Sequence, residues 1–175
     1  MKGLQNSFIS FLISILLLIL VEVITTTILP LVGLGAIRFS FFTLLILFVS
    51  FYKNSNLISL YIIVFSFVHS IFSVETWYLS AFIGIFSSVV VAYFSELINL
   101  SNNIVTMLFV LIFQFVMVFA RTIVFYLRGN NLEYIFHNFV GHLFEIFILT
   151  LLSPFVFELL SVIWASKSDS MEDFN

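Results

Sequence analysis

The chain has 175 residues, of which 62% are hydrophobic and only 9% are Asp, Glu, Lys or Arg, with a formal net charge of −3. A soluble domain carries about 25% charged residues, so this chain has too few polar side chains to give a globule of its size a water-facing surface. It has no cysteine, which excludes disulfides, thiolate metal sites and thiol nucleophiles, and the lack of any basic cluster argues against nucleic acid as a partner.

The apolar residues fall into tracts of membrane-crossing length. Gly3 to Val21, Asn54 to Val74, Thr76 to Ser95 and Leu97 to Ala120 contain no Asp, Glu, Lys or Arg. About 20 residues in a helix cross about 30 Å of hydrocarbon. The expected fold is therefore all-α: a polytopic membrane protein, a bundle of about six transmembrane helices solvated by the lipid bilayer. Residues 1–166 form a single transmembrane domain, and 167–175 a short acidic cytoplasmic tail with Asp169, Glu172 and Asp173.

In chain order, the first helix is expected from Phe8 to Leu29, stopping at Pro30. Lys2 ahead of an apolar stretch resembles a signal peptide, but no small-x-small cleavage site follows, so the helix is expected to remain. The second runs from Leu34 to Tyr52 with Arg38 near its start, snorkelling toward the headgroups. A polar turn, Lys53 to Asn56, leads to the third helix, Leu57 to Phe72. The fourth follows from Trp77 to Leu97, with Glu75 ahead of it. A turn with Asn99, Ser101, Asn102 and Asn103 precedes the fifth, Ile104 to Leu127. The longest connection, Arg128 to His142, is expected to hold an interfacial helix around Leu132 to Phe139 before the sixth helix, Leu143 to Ala165. Short connections make sequential helices antiparallel neighbours. With both termini cytoplasmic, Lys2, Lys53 and Lys167 lie inside and Arg38 and Arg128 outside, a thin positive-inside bias.

Two sets of residues are candidates for function. On the fourth helix, Ser80, Gly84, Ser88 and Ala92 are spaced four apart, so they share one side and let another backbone approach closely. That row can serve either packing within the bundle or docking of a second membrane protein. The other set is an intramembrane polar cluster: Glu22, His69, Arg121 and Glu145. Ionisable groups in hydrocarbon are costly and call for partners. Counting the helix rise places Glu22 about 21 Å, Arg121 about 25 Å and His69 about 18 Å from the inner starts of their helices, with Glu145 about 3 Å below the outer end of its own. All four thus belong to one half of the bilayer, while Glu158 falls toward the opposite face. Gln114, seven residues before Arg121, faces the same way. Arg121 is expected to pair with Glu22 or Glu145, either to neutralise buried charge or as part of a ligand or partner pocket.

The residue patterns of catalysis are missing. There is no His-Glu-x-x-His helix and no Gly-x-Ser site before a suitably placed histidine. His142 and Glu145, three apart, offer two metal ligands without a visible third. The reading is of a non-enzymatic protein with no cofactor and no metal site.

From about Arg38 to Lys167 the layout resembles MreD, the small polytopic rod-shape-determining protein of bacteria. The likeness is carried by the tight basic turn Tyr52-Lys53-Asn54 and by the Ser-rich, lightly acidic stretch Phe67-Val68-His69-Ser70-Ile71-Phe72-Ser73-Val74-Glu75. A helix with small residues then begins at Trp77, and a final helix runs into the polar tail Trp164 to Asn175. Departures are that His69 stands about where the family tends to carry an acid, and that the glycine-rich step before the fourth helix is absent. The resemblance implies a non-enzymatic subunit of the cell-elongation complex in the bacterial cytoplasmic membrane. Its implied partners are an MreC-like protein with a single membrane anchor and other members of the wall-synthesising complex. The alternative is the substrate-binding S component of an energy-coupling-factor vitamin transporter, similar in size and helix number, with a ligand pocket in the outer half of the membrane. Against it, residues Ser7 to Pro30 lack the Ala-x-x-x-Ala contact motif and offer only Ser10-x-x-x-Ser14.

Overall fold

A computed structural model describes residues 2–33, 40–52, 57–73, 76–95, 103–127, 129 and 132–164. Arg38, Lys53, Glu75, Arg128, the tail 167–175 and most of the expected polar turns lie outside the described residues. Every described element is helical, and the helices form six rods. The first joins α1 (Lys2–Val23), a π-helical segment (Ile24–Ile28) and the single turn α2 (Leu29–Leu31). The others are α3 (Phe41–Tyr52), α4 (Ile58–Phe72), α5 (Trp77–Ser95), α6 (Asn103–Leu127) and α7 (Leu132–Trp164).

Four of these rods are long and apolar enough to cross a membrane, over Ser7–Leu31, Trp77–Phe94, Asn103–Val124 and His142–Trp164. Two are shorter: α3 has 12 residues and α4 has 15. At 1.5 Å per residue they reach about 18 and 22 Å, less than the hydrocarbon thickness. The six expected helices are present as six rods, four of them long and apolar enough to cross a membrane among the described residues and two of them shorter but equally apolar.

Two boundaries also differ from expectation. The interfacial helix and the sixth helix are one continuous rod, α7, of 33 residues. The first helix does not stop at Pro30. It widens into the π segment, where Leu29 N–H donates to the Ile24 carbonyl, and ends one turn later at Gly33, whose φ of 82° is the left-handed value that closes helices. Such widened turns and prolines are the usual places where a helix departs from regularity. Inside α7, Pro154 lacks the N–H that would bond the Thr150 carbonyl, and the Ser153 hydroxyl donates to that carbonyl instead, at 2.7 Å. Ser14, Ser50, Ser66 and Thr122 likewise donate to carbonyls four residues earlier in their helices. Hydroxyls in apolar helices thereby satisfy themselves without a neighbour.

The core is α3. Every residue from Phe41 to Ser50 is buried, and the helix touches α1, α4, α5, α6 and α7. Phe48 packs edge-on to Phe157 of α7, and Phe51 edge-on to Phe109 of α6. At one end of the bundle Ser10 of α1 donates to the Ile163 carbonyl at 2.7 Å, and Trp164 Nε1 donates to Ser14 Oγ at 2.9 Å. Tyr61 of α4 joins there, stacked on Phe11 and edge-on to Trp164. This is the end where α1 starts and α7 finishes.

The outward faces are apolar. Phe8, Leu12, Leu16 and Leu20 on α1, Phe82, Phe86 and Val89 on α5, Leu108, Ile112 and Phe119 on α6, and Phe144, Phe147 and Leu151 on α7 are all exposed. Their spacing of three, four or seven follows one face of each helix.

Candidate functional site

The polar groups gather at the end opposite Trp164. Glu22, two-thirds of the way along the first rod, and His69, in the last turn of α4, are buried, 4% and 8% exposed. His69 Nδ1 lies 2.6 Å from Glu22 Oε1. A contact of that length needs one proton between the two atoms, whichever carries it. The His69 ring is stacked on Phe42 of α3, with centroids 4.5 Å apart and planes within 2°. Glu22 is the last residue but one of α1. Its carbonyl accepts the hydroxyls of Thr25 at 3.0 Å and Thr26 at 2.7 Å, as the helix widens into the π segment. The carboxylate is thus held at the point where the first rod changes its winding.

A second pair lies beside it. His142 Nδ1 is 2.7 Å from Glu145 Oε2, one turn along α7. The other carboxylate oxygen accepts the Ser40 N–H at 3.1 Å. Ser40 precedes α3, and its hydroxyl meets Thr43 Oγ1 at 2.9 Å. The first N–H groups of a helix have no partner within it. Here a carboxylate from a distant helix supplies one, and the charge also suits the positive end of the helix dipole. The start of α3 therefore links the two pairs, with Ser40 on Glu145 and Phe42 on His69.

Of the four residues expected in one polar cluster, Glu22 and His69 touch directly, and Glu145 is joined to them through Ser40 and Phe42. The two carboxylates offered to Arg121 each have a histidine partner. Arg121 is buried on α6, on the same side as Gln114, which is also buried. Sequence reasoning missed the part played by Ser40 and Phe42. The Ser40-x-x-Thr43 spacing at the head of an apolar run was a legible capping signal; the stacking of Phe42 had none. Among the described residues no group of three or more His, Cys, Asp or Glu could hold a metal ion.

The small-residue row is divided. Ser80, Gly84 and Ser88 are buried, whereas Ala92 is exposed. A methyl group built on Gly84 would stand 2.7 Å from Ile62 Cγ2 of α4 and 2.8 Å from Ile46 Cδ1 of α3. The row lets α5 seat closely on α3 and α4, so three of its four members are unavailable as the docking surface weighed from sequence.

Glu158 lies apart from this cluster, toward the Trp164 end of α7, and is exposed. Searches of protein-family models, curated proteins and solved structures found no match to the chain.

Proposed function

We propose that the chain is a multi-pass protein of the bacterial cytoplasmic membrane that works without catalysis, as an MreD-like subunit of the cell-elongation machinery holding an MreC-like single-span partner. The observation that carries this reading is where the polar groups point. Glu22, His69, Glu145, His142 and Ser40 engage one another inside the bundle, while the long faces of α1, α5, α6 and α7 are apolar and exposed. A protein so built has its working surface in the membrane plane, where neighbouring helices are its accessible partners. The MreD-like layout from Arg38 to Lys167 names the candidate. The test is co-purification of an MreC-like protein with the tagged chain from its host, together with depletion in a rod-shaped cell. Retention of the partner and rounded or swollen cells are expected. Normal rods after depletion would refute the reading.

One observation favours the S-component alternative: four ionisable groups, Glu22, His69, His142 and Glu145, collect at one end of the bundle around the start of α3. That reading expects a vitamin-sized ligand retained one-to-one on the purified protein and lost on changing His69. Mass spectrometry of the protein released from detergent decides between the two.

A further inference from the structure

The first rod is tied to the bundle at Glu22 and runs on past it. Helix α1 packs on α3, α4 and α7. Beyond it, Thr25 is the buried residue of the π segment, and Thr26–Ile28 and Pro30–Gly33 are exposed. The winding of this arm is irregular. Leu29 N–H reaches back five residues to the Ile24 carbonyl, and Pro30 has no N–H to bond. A π segment carries an extra residue in its turn and often marks a functional position. The Glu22–His69 contact, at 2.6 Å, ties the rod to α4 immediately before that segment.

The tie contains a ring that changes charge. With Nδ1 donating to the Glu22 carboxylate, His69 Nε2 either carries a second proton or does not. With it, imidazolium and carboxylate sum to zero charge, which suits a buried site against the Phe42 ring. Without it, the carboxylate is a buried net negative charge, costly unless it reaches water. Glu145, the nearby carboxylate on α7, adds to that cost whenever His142, bonded to it, is neutral. Arg121 of α6 is buried and Tyr78 of α5 is exposed. Arg38, Glu75, Arg128, Glu133 and His137 adjoin this end in the chain, and their side chains lie outside the described residues.

We propose that Glu22–His69 is a proton-operated latch on the arm Thr26–Gly33. Protonation of His69 Nε2 closes it. Loss of that proton releases Glu22 toward water, with the π segment as the hinge. The latch is a property of the first rod and holds whichever partner the chain has, so it stands or falls apart from the assignment above.

The test uses spin labels on Ile28→Cys and Ile71→Cys, both exposed positions, in the full chain, which has no other cysteine. Their separation is measured by double electron–electron resonance in lipid vesicles at about pH 5 and about pH 9, which bracket the interval in which histidine usually changes charge. A single short separation is expected at the acid value. A longer one should grow about tenfold at the alkaline value, in keeping with a minor state becoming well populated. Glu22→Gln keeps an acceptor for Nδ1–H without the charge and should stay closed at both values. His69→Gln keeps a donor but cannot become a cation, and should show the longer separation at both. Equal separations at the two values in the parent chain would overturn the latch, as would a closed His69→Gln. If His69→Gln does not fold, Glu22→Gln decides alone, and a response to pH that survives in it overturns the latch. Arg38→Gln, Glu75→Gln, Glu133→Gln and His137→Gln should each keep the parent's response. Its loss in any of them would place the titrating group elsewhere and overturn the latch as well.

Discussion

His69 Nδ1 lies 2.6 Å from Glu22 Oε1, 47 residues away in sequence, and the pair joins α4 to the first rod just before that rod widens into its π turn. Both side chains are buried, and Phe42 of α3 covers the imidazole face. Three helices therefore meet at one hydrogen bond. Deleting either partner leaves the other buried and unsatisfied, whereas deleting both leaves an apolar contact.

The expected outcome for Glu22→Leu or His69→Leu alone is a loss of about 1–3 kcal/mol, read as a lower melting temperature of the detergent-solubilised protein. The double variant should be more stable than the sum of the single losses. Strict additivity would mean that the two residues are not energetically coupled.

Glu145 stabilises the start of α3 through the Ser40 N–H. Glu145→Gln retains a carbonyl oxygen for that donor; Glu145→Ala retains nothing. Hydrogen exchange over Ser40 to Leu44 should accelerate in the alanine variant and much less in the glutamine variant. Equal exchange in both would show that the charge matters and the hydrogen bond does not.

At Gly84, α5 sits directly against Ile62 of α4 and Ile46 of α3. Gly84→Ala should cost about 1–3 kcal/mol, the usual range for overpacking a filled interior. Trimming a neighbour, Ile62→Val or Ile46→Val, should recover part of it. A stable Gly84→Ala protein that loses its membrane partner would instead restore the row as a docking surface.

The absence of cysteine allows single cysteines to report topology. With six crossings and both termini cytoplasmic, cysteines at Asn6, Ser55, Asn102 and Ser170 should resist an impermeant thiol reagent in intact cells and react after permeabilisation. The short helices α3 and α4 make Ser55 the informative position. Labelling there from outside would overturn the arrangement, and labelling at Ser170 alone would mean an odd number of crossings.

The helices themselves were legible in the residues. Backbone groups removed from water must bond within their own segment, so long uncharged tracts become helices, and α4, α5 and α6 start and stop within two residues of expectation. Scarcity also made the polar cluster visible: few ionisable residues interrupt the tracts, and helix rise alone placed Glu22, His69 and Glu145 toward one end. What the chain order could not decide was which side of each helix faces inward. In a soluble protein, alternation of polar and apolar residues reports the buried face. Here the outside is as apolar as the inside, so Phe42 and Phe82 look alike in sequence, although one stacks on His69 and the other is exposed. The partners of the charges were undecided for the same reason. Depth grouped Glu22 and Glu145 with Arg121, but only rotation about each helix axis brings His69 to Glu22 and Ser40 to Glu145. That rotation is set by side-chain packing around α3, buried from Phe41 to Ser50, and packing of that kind exists only in the folded bundle.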